Sequence, residues 1–340
     1  MKPEKHDCSR RDFLKHSLLG AVALGIASFP GEPLTGAIRN IEGRRKKTAR
    51  RVVLLSLDGI CVEGFRKART PHLDNLLAQG VLSLKTRVVM PSVTLPNWTS
   101  HLTGSGPELH GVVDNSWTID KFKLPAVETD SDGYYPSVFK VLKDKKEGIK
   151  TAFYYNWPNL IYPYNQKYLD DICFLENDAY APYYERAFSF IKTHRDEPTL
   201  VFLYTVHTDH AGHNHKWMSP EYIRSIEEAD EEIGRLLDKL KAEDLFDDTH
   251  FLFLTDHGGI NYGHGGVSVE EMIVPWGITG PGIAEGKMME EPNNTVNIAA
   301  VILQLFGVEK PLSWTGEVPE SIFVRGEKRN VSICGRLEND

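Results

Sequence analysis

Cysteine is scarce in this chain. Four occur in 340 residues, at Cys8, Cys61, Cys173 and Cys334, and no two form a Cys-x-x-Cys pair. That excludes a thiolate metal site and a disulfide framework as the organising device. A basic excess is also missing. Lys and Arg number 39 against 47 Asp and Glu, for a net charge of −8, so no broad surface for a nucleic-acid polymer is implied. No apolar run is long enough to span a bilayer comfortably, which takes about 20 residues. The chain has no internal repeat and no low-complexity tract. What remains, 41% hydrophobic and 25% charged residues, is the composition of a globular protein.

The N-terminus reads as an address. "SRRDFLK" (9–15) pairs Arg10 with Arg11 ahead of Phe13 and Leu14, and the small, apolar run "SLLGAVALGIASF" (17–29) follows. This resembles a twin-arginine export signal. Residues 1–37 are expected to be that signal, 38–50 a basic linker, and 51–330 a catalytic domain delivered to the periplasm, with no membrane span in the mature chain.

From residue 51 strands and helices alternate. "RVVLLSL" (51–57), 81–89, 149–155, 200–206, "HFLFLT" (250–255) and 272–279 read as strands. Helices are expected over 70–80, 95–104, 136–144, 181–194, 219–246 and 294–307. The long 219–246 segment opens on Ser-Pro and keeps Tyr222, Ile226, Ala229, Ile233, Leu237 and Leu240 at helical spacing. Such alternation predicts an α/β fold, a three-layer α/β/α sandwich around a mostly parallel sheet. The stretch 115–148, rich in Asp, Tyr, Pro and Lys, fits the alternation least and is expected to form a small cap insertion.

Three apolar runs end on charged or imidazole side chains. "VVLLSLDG" ends on Asp58, "LVFLYTVHTDHAGH" reaches Asp209 and His213, and "FLFLTDHGGINYGHGG" reaches Asp256, His257 and then His264. In open α/β sheets ligands bind beyond the carboxyl ends of the strands. Six candidate ligands of mixed carboxylate and imidazole type predict two divalent metal ions, zinc foremost, since calcium and magnesium prefer oxygen alone. Paired metals about 4 Å apart serve phosphoryl transfer. The nucleophile expected beside them is Thr94 in "MPSVTLPNWTSHLTG", a hydroxyl at the start of a short helix. On the residues alone, the nucleophile reading is weak, since a Thr before Leu-Pro-Asn is more often a helix N-cap.

Taken together these segments resemble the alkaline phosphatase superfamily, and within it the nucleotide pyrophosphatase/phosphodiesterase branch. The residues carrying the resemblance are Asp58 in its "DG" strand end, Thr94 before "LPN", the run Thr103, Gly104, Pro107, His110, Gly111 and Asn115, the pair Asp209 and His213, the "DHG" of Asp256 to Gly258, and His264 in "HGG". The resemblance implies one zinc held by Asp209, His213 and His264. It implies a second held by Asp58, Asp256 and His257, with Thr94 bound to it. Asn115 and the Thr94 amide would hold a phosphoryl oxygen, and the reaction would pass through a phospho-threonine on its way to hydrolysis of a small phosphate ester.

Two departures bear on the substrate. Leu95 stands where nucleotide-cleaving members carry a base-stacking aromatic, and His264 follows His257 by only seven residues, a spacing shared with other branches. Leu95, Asn115 and Tyr155 are the candidate substrate contacts; Tyr155 belongs to the aromatic stretch "YYNWPNLIYPY" (154–164), which suits a stacking wall or ordinary packing equally. His207, His210 and His215 are expected to support the site or lie on the surface, and Cys61 to be a packed small residue.

Phosphodiesters are the expected substrates. The alternatives are a phosphomonoesterase or phosphonate hydrolase on the same scaffold, and a non-catalytic metal-binding relative. A sulfatase is disfavoured, because Thr94 replaces the oxidisable Cys or Ser and Trp98 the Arg of that motif. No Arg lies between Thr94 and Asn115 to bind a monoester dianion; Lys121 and Lys123 are the nearest cations beyond.

Overall fold

The computed structural model describes residues 48–324. The expected signal, most of the linker, Cys8 and Cys334 lie outside the described residues.

The first strand shows why the sheet forms. β1 (Arg51–Leu57) is buried along its whole length. Its alternate residues feed two separate cores: Val52 and Leu54 one, Val53, Leu55 and Leu57 the other. A strand apolar on both faces belongs in the middle of a sheet covered on both sides. α1 (Val62–Lys67) and α2 (Pro71–Ala78) follow, then β2 (Gly80–Arg87), α3 (Thr94–Thr103), α4 (Pro107–His110), α5 (Val138–Lys145), β3 (Lys150–Tyr155), β4 (Asp171–Phe174), α6 (Ala181–Thr193) and β5 (Thr199–Thr205). The chain continues with α7 (His207–His215), α8 (Pro220–Ala242), β6 (Thr249–Leu254), α9 (Val269–Met272), β7 (Ile273–Thr279), the two-residue strands β8 (Lys287–Met288) and β9 (Asn293–Asn294), and α10 (Asn297–Phe306).

The strand order is β4-β3-β5-β1-β6-β7-β2-β8, with β9 also on β2. The run from β4 to β6 is parallel; β7 is antiparallel to both β6 and β2. Helices α3, α5 and α10 supply one core, and α1, α2, α6 and α8 the other. This is the α/β/α sandwich with a mostly parallel sheet that the alternation predicts. Parallel β5, β1 and β6 end side by side, with Leu57 opposite Thr205 and Ser56 opposite Leu254. The residues after them, Asp58, Asp209 and Asp256, therefore gather at one edge of the sheet.

Residues 114–135 contain no helix or strand beyond the bridge between Thr118 and Lys121. Within the span 115–148, α5 is a core helix: Val138, Phe139 and Leu142 are wholly buried. Cys61 and Cys173 are both unpaired, and Cys61 is buried as a packed residue. Among the described residues no helix is long and apolar enough to cross a membrane.

Candidate metal centre and nucleophile

Asp58 is fully buried at the end of β1. Its Oδ2 accepts from the Tyr204 hydroxyl and from Trp98 Nε1 at 3.4 Å. The turn past it needs glycine: Gly59 has φ +73°, and a Cβ there would lie 3.0 Å from the Asp209 side chain. The Gly59 amide donates to Asp256 Oδ1 at 3.2 Å, so the "DG" pair lets one strand end touch the next.

Asp209 and His213 sit one turn apart on α7, on one face of the helix. The helix is anchored by Asn156 Oδ1, which accepts the Val206 amide at 2.9 Å, and by Thr208, whose hydroxyl donates to the Asp58 carbonyl at 2.5 Å. Asp256 and His257 follow β6 and are fully buried. Thr94 is the first residue of α3 rather than its cap, which is Val93. All ten residues of that helix are buried. The Thr94 hydroxyl lies 3.3 Å from His257 Nε2.

The ring nitrogens decide what the site is for. His213 Nδ1 donates to the Tyr262 carbonyl at 2.8 Å, His257 Nδ1 to the Gly258 carbonyl at 2.9 Å, and His264 Nδ1 to the Ser92 carbonyl at 2.9 Å. A carbonyl only accepts, so in each neutral ring the proton is on Nδ1 and Nε2 presents a lone pair. These lone pairs face carboxylates. His257 Nε2 is 3.3 Å from Asp58 Oδ1 and 3.2 Å from Asp256 Oδ2. His213 Nε2 is 3.4 Å from Asp209 Oδ2, and His264 Nε2 is 3.7 Å from Asp209 Oδ1. Asp58 Oδ1, Asp209 Oδ1 and Asp256 Oδ2 are buried and accept no hydrogen bond.

Lone pairs aimed at one another across such gaps repel unless a cation lies between them. Bonds of about 2.0–2.2 Å to a tetrahedral ion put neighbouring ligand atoms roughly 3.3–3.6 Å apart, close to the spacings found. The donor set therefore fits divalent metal. Ligand atoms of Asp209, His213 and His264, and of Asp58, Asp209 and His257, each gather within 4.8 Å; Asp256 joins the second group through its contact with His257.

The electrostatics agree. Burial pushes Asp58 up to about 6, with the Tyr204 hydrogen bond pulling the other way. Burial, and then the charge of Asp58, pushes Asp209 and Asp256 well above the usual carboxylate range. Burial, and then the neighbouring His264, holds His257 well below the usual imidazole value, and their rings stack at 3.6 Å. A dication reverses these penalties, because its charge favours ionised carboxylates and neutral imidazoles.

Asn115 comes to the site through Leu95. The Leu95 amide donates to Asn115 Oδ1 at 2.8 Å, leaving Nδ2 as the end of the amide free to donate. The Asn115 carbonyl is held by Asn159 Nδ2 at 3.0 Å. The Leu95 side chain is wholly buried, so the substrate contact expected of it has no exposed surface to act through. Tyr155 is also buried, its ring 5.4 Å from Phe153 and 5.1 Å from Phe174, which is packing. His207 is fixed by Thr205 Oγ1 and the Ser225 carbonyl, His210 pairs with Asp178 at 2.6 Å, and His215 is exposed. The sequence gives no sign of the support from Tyr204 and Ser92, or of the bond from Trp98 to Asp58. Tyr204, next to last in the apolar strand β5, is visible as a hydroxyl five residues before Asp209.

A family model described as type I phosphodiesterase/nucleotide pyrophosphatase matches residues 52–296. Ectonucleotide pyrophosphatase/phosphodiesterase family member 3 of Mus musculus is 28% identical over 217 residues, 61% of this chain and 24% of that protein. Bis(5'-adenosyl)-triphosphatase of Bos taurus is 26% identical over 223 residues, 61% of this chain and 47% of that protein. The chain thus spans less than half the length of these curated relatives. Among solved structures, murine ectonucleotide pyrophosphatase/phosphodiesterase 5 has a TM-score of 0.63 at 16% identity, covering 77% of this chain and 96% of that one. Its inactive threonine-to-alanine form in complex with AMP has the same score at 15% identity. The family match begins before Asp58 and ends beyond His264, so its span takes in every residue of the cluster: the chain belongs to the type I phosphodiesterase/nucleotide pyrophosphatase family.

Proposed function

We propose that this chain is an exported hydrolase of small phosphodiesters that uses two divalent metal ions, zinc foremost, and Thr94 as nucleophile. The observation that carries the reading is the set of unsatisfied carboxylate oxygens and Nε2 lone pairs beside the Thr94 hydroxyl. Asp209, His213 and His264 would hold one ion, and Asp58, Asp256 and His257 the other with Thr94. Bound there, the metals would supply Lewis-acid activation and neutralise charge on the phosphoryl group.

The chain's own residues do the rest. α3 fixes the Thr94 hydroxyl at a helix N-terminus, where the dipole favours an anion. The Thr94 oxygen bonds to phosphorus as the P–O bond to the first ester group breaks, and the Thr94 hydroxyl proton departs on the leaving alcohol. The resulting phospho-threonine is then cleaved by water, which frees Thr94. Asn115 Nδ2 and the Thr94 amide donate to a non-bridging oxygen throughout.

Diester preference follows from the cations. The Lys123 ammonium is spent on Asp114 at 2.7 Å, and Asn115 is neutral, so neither supplies a fixed positive charge for the extra charge of a monoester; Lys121 is exposed and is the first residue to replace if monoesters are favoured. The test compares kcat/KM for bis(p-nitrophenyl) phosphate with that for p-nitrophenyl phosphate. The diester is expected to be favoured. A monoester favoured tenfold, about 1.4 kcal/mol of transition-state binding, sinks the diesterase reading. Export rests on Arg10 and Arg11; replacing both with Lys should leave the protein in the cytoplasm.

A further inference from the structure

A cavity of about 890 Å³ lies beside the metal centre, and none of the seven residues of that centre lines it. Its size is that of a small-molecule site, about 300–1,000 Å³. The wall is apolar: Leu84, Trp217, Met218, Ile260, Val269 and Ile273. Ile260 is 44% and Val269 70% exposed, so apolar surface continues out of the cavity onto its mouth, where solvent ordinarily selects polar residues.

The rim is charged, and unequally. Arg66 is neutralised by Glu63 at 2.7 Å. Lys85 and Lys216 are exposed and have no carboxylate partner among the described residues. Glu270 is the remaining acid of the lining. Three cations against two acids leave the rim positive on a chain whose net charge is −8.

Trp217 is the partition between cavity and metal centre. Its Nε1 donates to the Gly59 carbonyl at 2.9 Å, and its ring meets His213 edge-on at 5.1 Å. Gly259 is required beneath it, since a Cβ there would come within 2.2 Å of the indole. A ligand in the cavity would therefore touch the indole that backs His213.

We propose that this cavity is a second binding site, for an anionic amphiphile with one apolar chain, the chain seated against Trp217, Met218 and Ile260 and the head group between Lys85 and Lys216. The probe is dodecanoate below its micelle concentration, with butanoate, dodecanol and dodecyltrimethylammonium beside it; a terminally brominated dodecanoate reports contact by quenching tryptophan fluorescence. Dodecanoate should bind one to one, and each added methylene should tighten binding by about fourfold, the burial of one CH2. The brominated probe should quench the wild type, and Trp217→Phe should remove that quenching, because none of the other five tryptophans lines the cavity. Lys85→Glu, a change at an exposed position, should weaken dodecanoate roughly threefold to tenfold and strengthen dodecyltrimethylammonium. Equal affinity for butanoate and dodecanoate, quenching that persists in Trp217→Phe, binding seen only above the micelle concentration, or a Lys85→Glu variant that binds dodecanoate as the wild type does would each overturn the proposal.

Discussion

The two walls of the reaction site are built in different ways. On one side Asp58, Asp209 and Asp256 follow three adjacent parallel strands. Asp58 alone is gripped by Tyr204 and Trp98 at its carboxylate and by Thr208 at its carbonyl. On the other side Asn115 rests on the Leu95 amide and on Asn159, and the residues after it, to 135, form no regular element beyond one bridge. In our reading that loop is the cap. The difference teaches where the protein can vary. Moving a strand-end ligand means moving a core, whereas the loop can change length and sequence while the chemistry stays.

The largest effect is expected of Thr94→Ala, which removes the proposed nucleophilic oxygen at the start of α3 without disturbing the strand-end carboxylates. The fold and metal content should stay near wild type while kcat falls by roughly 10⁴-fold or more, as nucleophile loss does elsewhere; Thr94→Ser should restore part of it. Near wild-type turnover in the alanine variant would remove Thr94 from the role. Next is Asp256→Ala. It leaves His257 Nε2 without one of its two carboxylate neighbours, and should lose several kcal/mol of metal-derived stabilisation, roughly a thousandfold in rate, together with one bound ion. Asn115→Ala tests the softer wall. It should cost about 10²–10³ in kcat, the range for one oxyanion donor, with metal content unchanged. If it instead releases metal, the two walls are not separable.

The sheet and most helices were legible because buried parallel strands are continuous apolar runs, and helices such as α8 carry an apolar stripe with a Ser-Pro start. β4, four half-buried residues at the sheet edge, offers too short a run to read. α1 and α7 carry too few apolar residues for a stripe; the "DHAGH" segment reads equally as a turn, and its helical form is set by Asn156 and Thr208 from elsewhere in the fold. The strand-end ligands were legible as charges placed where apolar runs stop. Their supports were not: Ser92 reaches His264 across 172 residues, and no local pattern encodes that. Leu95 shows the converse, since sequence placed it beside the nucleophile but not on which face of α3 its side chain would lie.

The measurement that bears most directly on the proposed chemistry is the metal content of the folded protein, taken by elemental analysis before and after dialysis against a chelator, with diesterase activity followed in parallel. About two divalent ions per chain are expected, with loss of activity as the metal leaves and recovery when zinc is returned. A chain that carries no metal and hydrolyses diesters undiminished by the chelator would contradict that chemistry.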